Sequence, residues 1–240
     1  MNYAICLSGG VGSRMQSKIP KQYLDVEGYP ILYYSLKAFE DAKSIDRVII
    51  VAADEYIEYV KKEIVERYGL LKVTDIIAGG KERYDSVYEG LKHIYINEEN
   101  PDNSLCLIHD GARPCILTTQ IEEIVRETDQ KQAVVAAAPV KDTIRTVGKD
   151  MQSLKTLDRS ILWQMQTPQS FNLKLVYDAF SKMYNNNDFA GVTDDVMVVE
   201  KFMGVHSHMY MAGYNNIKVT TPEDLLYVKA VLSSREKTFL

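Results

Sequence analysis

The chain has 240 residues, enough for one large domain with a buried core, and its 46% hydrophobic and 25% charged residues are ordinary for a globular protein. A formal net charge of -5 excludes the broad basic field of a nucleic-acid scaffold. Cys6, Cys106 and Cys115 lack the even count and close pairing of a disulfide framework or thiolate metal site, and with no apolar run long enough to span a membrane a cytoplasmic location is expected.

In chain order, YAICL (3–7) predicts a strand buried on both faces, followed by SGGVGSRM (8–15) and PKQY (20–23). Residues 30–41 carry apolar positions at helical spacing, RVIIVA (47–52) reads as a second strand, and 54–67 as a second helix. VTDIIA (73–78), a glycine loop GGKERYDSV (79–87) and a helix over 84–96 come next. SLCLIH (104–109) predicts a strand running into DGARP (110–114), before a helix at 118–129 and a strand AVVAAA (133–138). This alternation defines an α/β fold with a mostly parallel sheet and helices on both faces. Residues 139–160 break the pattern as two polar extended arms around GKD (148–150), a protruding β-arm too exposed to stand alone. QTPQSF (166–171), TDD (193–195) and NIKVTTPEDL (216–225) return to strand and helix, with a final helix near 222–233 opened by Thr221 and Pro222.

Ligands of such sheets sit at the carboxyl ends of the strands, where the three unusual loops gather. The first is neither of the familiar phosphate loops. Arg14 stands five positions after Gly9, where a P-loop needs glycine, and Met15 replaces the third glycine of a dinucleotide fingerprint begun by Gly10 and Gly12. Amides of Ser8, Gly9, Gly10 and Gly12, with Arg14 and Lys21 beside them, make a nest suited to a polyphosphate. Asp110, at a strand end, suits a hydrated divalent cation carried by phosphates, here Mg2+. Lys218 lies between apolar Ile217 and Val219 and must point the other way. His206 and His208 have no third ligand nearby in sequence, and His109 is expected to brace the Asp110 loop rather than act as a base.

Together, SGGVGSRM with PKQY, GGKERYDSV, HDGARP, PVKDTI, DRSILW, QTPQSF, TDD and NIKVTTPEDL resemble the 2-C-methyl-D-erythritol 4-phosphate cytidylyltransferase family, over about residues 3–230. The resemblance implies a Rossmann-like nucleotidyltransferase fold in a single domain over 1–240, a dimerisation arm at about 139–160, and a homodimer whose arms complete each other's sites. It implies that Ser8, Gly9, Gly10, Gly12, Gly80, Ser86 and Asp110 bind the nucleotide CTP, and that Arg14, Lys21, Arg159 and Lys218 are catalytic. Gly111, Arg113, Thr143, Arg159, Thr193 and Lys218 would line the polyol-phosphate pocket, with Thr143 and Arg159 reaching across the dimer and Asp110 near the metal. GGxGSRM also resembles the ribitol-5-phosphate cytidylyltransferases, which makes ribitol 5-phosphate the alternative acceptor. A third reading, a nucleotide-binding protein without turnover, has little use for so many cations around a leaving pyrophosphate.

Overall fold

The computed structural model describes residues 1–10, 15, 17 and 19–236. Gly12 and Arg14 therefore lie outside the described residues. Strand β1 (Asn2–Ser8) leads through a short turn at Lys21–Tyr23 to a small hairpin, β2 (Asp25–Val26) and β3 (Tyr29–Pro30). Both residues at its tip, Glu27 and Gly28, have positive φ, the mirror-image turn whose twist matches paired strands. Helix α1 (Ile31–Asp41) and strand β4 (Arg47–Ala52) follow. The expected helix over 54–67 starts as Asp54–Tyr56 and α2 (Ile57–Tyr59), then winds as a π-helix over Val60–Glu66. Apolar spacing cannot tell these windings apart, because Val60 and Ile64 stay buried four residues apart in either.

Next come β5 (Val73–Ala78), α3 (Arg83–Asn97), β6 (Leu105–Asp110), α4 (Thr118–Lys131) and β7 (Ala133–Pro139). The arm carries β8 (Arg145–Val147) and β9 (Ser153–Thr156), an antiparallel pair separate from the main sheet. The chain closes with β10 (Trp163–Asn172), α5 (Leu173–Asn185), α6 (Asp195–Met203), β11 (His208–Met211) and α7 (Pro222–Glu236).

Among the described residues the main sheet has the order β11-β7-β10-β6-β1-β4-β5. Only β10 runs against its neighbours, wedged between β6 and β7. Side chains alternate between two cores, as a strand covered on both sides requires. Ala4, Cys6, Val48 and Ile50 point to the face covered by α1, α4 and the π-helical stretch, while Tyr3, Ile5, Ile49 and Val51 point to the face covered by α3, α5 and α6. The three cysteines are buried and free. A third, smaller core joins Val219 to Val228 and Leu232 of α7, so the loop before α7 is clamped by apolar contacts. No helix of the described residues is long and apolar enough to cross a membrane.

Candidate functional site

Strand register brings the expected loops together. Leu7 of β1 pairs with Asp110 of β6, Ser8 pairs with Ala52 of β4, and Ala52 pairs with Ala78 of β5, so these strands end on one edge of the sheet. Beyond them the loops stay linked: Gly111 N–H donates to Leu7 O at 2.9 Å, and Gly79 N–H donates to Ala52 O at 2.7 Å. Gly111 has no room for more, since a Cβ there would lie 2.6 Å from Leu32 Cδ1 and 2.9 Å from Leu7 O. At Gly10 the same atom would meet nothing within 4 Å among the described residues.

The PKQY segment is pinned to the end of β1. The Gln22 amide donates to Ser8 O at 2.6 Å, and the Ser8 hydroxyl donates to the Tyr23 hydroxyl at 3.0 Å. Both partners are buried, and burial pushes the Tyr23 phenol up to about 12. The segment that carries Lys21 is thereby held at the end of β1 by the two residues that follow it, a role for Gln22 and Tyr23 that sequence reading did not assign. In the second loop, Ser86 Oγ accepts from Gly80 N–H at 3.2 Å and donates to Glu82 O at 3.3 Å. A Cβ on Gly80 would overlap Asp85.

Asp110 lies in a cavity of about 270 Å³ with Arg83, Arg113, Gln166, Thr167, Thr193 and Lys218. Lys218 Nζ is 2.9 Å from Asp110 Oδ2, Arg113 Nε 3.7 Å from the same oxygen, and Arg83 Nε 3.3 Å from Oδ1. Burial alone would raise the Asp110 pKa, but the charges of Arg83, Lys218 and Arg113 outweigh it and hold the carboxyl far below the usual carboxylate range. Lys218 points to Asp110 because Val219 is buried in the opposite direction, as the alternation predicts.

Arg83 is the main residue missed in sequence. Its guanidinium donates through both terminal nitrogens to the two oxygens of the fully buried Asp195, each at 2.8 Å. Burial disfavours the charge on Arg83, and the two carboxylates more than restore it. A cation at the first turn of the helix after a glycine loop was the available signal.

Around Asp110 the hydrogen bonds close on themselves. Its N–H donates to Thr167 Oγ1 at 3.0 Å, and Thr167 Oγ1 lies 3.1 Å from His109 Nδ1. His109 Nε2 is 3.3 Å from Arg113 O, an atom that can only accept. A neutral imidazole therefore carries its proton on Nε2, and Thr167 donates to Nδ1. Burial pushes the His109 pKa down to about 4, so the ring is neutral near pH 7 and braces this turn, as expected of it.

Thr167 reaches this position through a break in β10. The pairing with β7 shifts between Met165 and Gln169, and Pro168 has no N–H for the ladder. Downstream, Gln169 Oε1 accepts from Asp195 N at 2.9 Å and Val196 N at 3.0 Å, while Asp194 Oδ1 caps α6 by accepting from Met197 N at 3.0 Å. The TDD segment thus divides its labour, with Thr193 on the cavity, Asp194 at the helix cap and Asp195 on Arg83.

Thr143 and Arg159 are not drawn into the Asp110 cavity of their own chain. Both are exposed at the base of the arm, where Arg159 donates to Lys141 O at 2.8 Å. The two histidines near β11 also part company, since the strand begins at His208 and His206 sits by Glu200 at 3.5 Å. Among the described residues no group of three or more acidic, histidine or cysteine side chains is placed to hold a metal. Both Asp110 oxygens face cations, so the protein alone is a poor magnesium site.

A sheet edge that gathers Arg83, Arg113 and Lys218 around a cavity, with its histidine kept neutral, suits a nucleotidyltransferase, in which positioned charge rather than a covalent nucleophile drives the reaction. The profile of the 2-C-methyl-D-erythritol 4-phosphate cytidylyltransferase family (IspD) matches residues 3–234, and the chain belongs to this family. A protein of that name from Lachnospira eligens is 49% identical over 225 residues, covering 94% of this chain and 96% of its own. One from Clostridium kluyveri is 41% identical over 235 residues, covering 98% of each. Among solved structures, 4-diphosphocytidyl-2C-methyl-D-erythritol synthase from Anaerococcus prevotii superposes with a TM-score of 0.80 at 31% identity, covering 97% of this chain and 96% of that one.

Proposed function

We propose that this protein is a CTP-dependent cytidylyltransferase acting on 2-C-methyl-D-erythritol 4-phosphate, giving 4-diphosphocytidyl-2-C-methyl-D-erythritol and pyrophosphate. The observation that carries this reading is the ring of Arg83, Arg113 and Lys218 around Asp110, on the sheet edge where β1 ends. The names of the relatives favour methylerythritol phosphate over ribitol phosphate as acceptor.

In this reading the triphosphate lies on the amides of Ser8, Gly9, Gly10 and Gly12, between Arg14 and Lys21, with the base and ribose against Gly80 and Ser86. The acceptor's phosphate occupies the Asp110 cavity, against Gly111, Arg113, Thr193 and Lys218. One of its oxygens attacks the α-phosphorus of CTP; the new P–O bond forms as the bond to the β-phosphate oxygen breaks, and the electron pair leaves with pyrophosphate. A phosphomonoester is already ionised near neutral pH, so the residues need only align the two molecules and neutralise charge. Mg2+, held by the phosphates beside Asp110, would supply further charge neutralisation.

The arm supports a homodimer. Val147 and Leu154 are exposed on a two-stranded ribbon that is marginal by itself, Ile144, Met151 and Ile161 are exposed beside it, and a second copy of the chain would cover them. Thr143 and Arg159 then complete the site of that second copy. The enzyme works in the cytoplasm, where its nucleotide is made.

Pyrophosphate release measured with CTP and either methylerythritol 4-phosphate or ribitol 5-phosphate tests the assignment. The expected result is a kcat/KM for methylerythritol phosphate at least about a hundredfold above that for ribitol phosphate. CTP binding without turnover of either acceptor would sink the enzyme reading.

A further inference from the structure

Asn216 is 1% exposed and does not line the Asp110 cavity, yet it bonds to Arg113 and to the Gln166–Thr167 segment and lies on the loop that carries Lys218. Its side-chain amide donates to Gln166 Oε1 at 3.0 Å and to Thr167 O at 2.8 Å. Its main-chain carbonyl accepts from Arg113 Nη1 at 2.8 Å. Two residues on is Lys218, and Val219 N–H donates to Ala112 O at 2.8 Å, tying the same loop to the Asp110–Arg113 turn.

We infer that Asn216 is a positioning residue for the acceptor side of the reaction: it fixes the spacing of Arg113, Lys218 and the Gln166–Thr167 segment around Asp110 without touching substrate. The chemistry of its surroundings selects the amide. Both side-chain partners are carbonyl oxygens, so the position needs two N–H donors on one short, rigid arm. Aspartate has the same shape but would set a carboxylate against two carbonyls. Leucine would leave both without a partner in a buried place. Arg113 depends on this residue more than on Asp110 for its orientation, because its Nε stands 3.7 Å from the carboxylate and makes no hydrogen bond. By contrast, Ser8 at the end of β1, on the nucleotide side, is held by Gln22 and Tyr23.

The inference rests on the cytidylyltransferase reading, and the parent enzyme's turnover of CTP with methylerythritol 4-phosphate is measured first; failure at that step counts against the reading and not against Asn216. With an active parent, Asn216→Ala and Asn216→Asp are compared for acceptor KM, kcat and the calorimetric Kd of CTP. Acceptor KM is expected to rise on the order of tenfold in both variants with a lower kcat, while the CTP Kd stays within about twofold. A purely space-filling role predicts that Asn216→Asp, which keeps the volume, behaves like the parent; that result would overturn the proposal. So would acceptor and CTP constants that shift together in folded protein. Should Asn216→Ala not fold, Asn216→Ser, which keeps one donor, carries the same comparison with the same expected split.

Discussion

His109 and Asp110 are neighbours in one buried turn and differ in charge, the imidazole neutral and the carboxylate ionised. Three cations stabilise the aspartate's charge, whereas at His109 the cost of burying an imidazolium outweighs the help that Asp110 gives it. The pH consequence has a definite sign. Burial takes the His109 pKa from 6.5 to about 4, so between those values the unfolded chain accepts a proton that the folded chain refuses. The group's contribution to stability is complete above pH 6.5 and is lost as the pH falls toward 4, by up to about 3 kcal/mol. Urea unfolding of the parent and His109→Gln across that interval should give a steeper decline in the parent; parallel curves would mean that the ring is not held neutral. Lys21 makes a different prediction. Its charge matters most as pyrophosphate departs, so Lys21→Ala should lower kcat roughly 100-fold while the CTP Kd changes only a few-fold, and equal losses in both would remove its transition-state role. Asp110, Lys218 and Lys21 were legible because strand ends, residue alternation and a proline-stiffened turn are local signals. Arg83 was not, since its partner Asp195 is 112 positions away and nothing in GGKERYDSV names it. Thr167, Gln169 and Asn216 were hidden for the same reason: each acts through hydrogen bonds that exist only after three segments have met.

Strand β10 shows what a pattern of apolar runs can and cannot convey. The strands β1, β4, β6 and β7 were readable nearly to the residue, because burial on both faces demands uninterrupted apolar sequence, whereas β5, read from VTDIIA, is an edge strand with no fully buried residue. Asp110 proved to be the last residue of its strand rather than the first of its loop. β10 carries glutamines, threonine and a proline, so its sequence lacks the apolar run of a strand buried on both faces, yet it lies inside the sheet between β6 and β7. Its polar residues are spent on other elements. Gln169 is the sharpest case, since one buried oxygen accepts both N–H groups that open α6 and thereby fixes Asp195 under Arg83. Gln169→Leu keeps the size and strips the acceptor, leaving two helix-terminal donors without a partner. The expected loss is on the order of 2 kcal/mol, or about 4–8 °C in Tm for a chain of this size. An unchanged Tm would show that α6 does not depend on β10 for its cap.

At the scale of the whole molecule, the arm is the part that a single chain cannot explain. It departs from the sheet edge that carries the site, is rooted there by Lys141 stacked on the Tyr214 ring and by Arg159 on the Lys141 carbonyl, and then exposes apolar side chains on both short strands. If two copies exchange arms, each site has its glycine loop and Asp110 cavity from one chain and Arg159 from the other. Lys21→Ala and Arg159→Ala then damage different halves of the same composite site. Either homodimer has two defective sites. In a mixed dimer both lesions fall on one site, because the Lys21→Ala body receives the Arg159→Ala arm, and the other site is intact. Random reassociation of equal amounts makes about half of the dimers mixed, so roughly a quarter of the parental activity should return. If each chain instead used its own Arg159, every site would keep a lesion and mixing would restore nothing. The readout is pyrophosphate release before and after reassociation, with sedimentation confirming that both samples are dimeric.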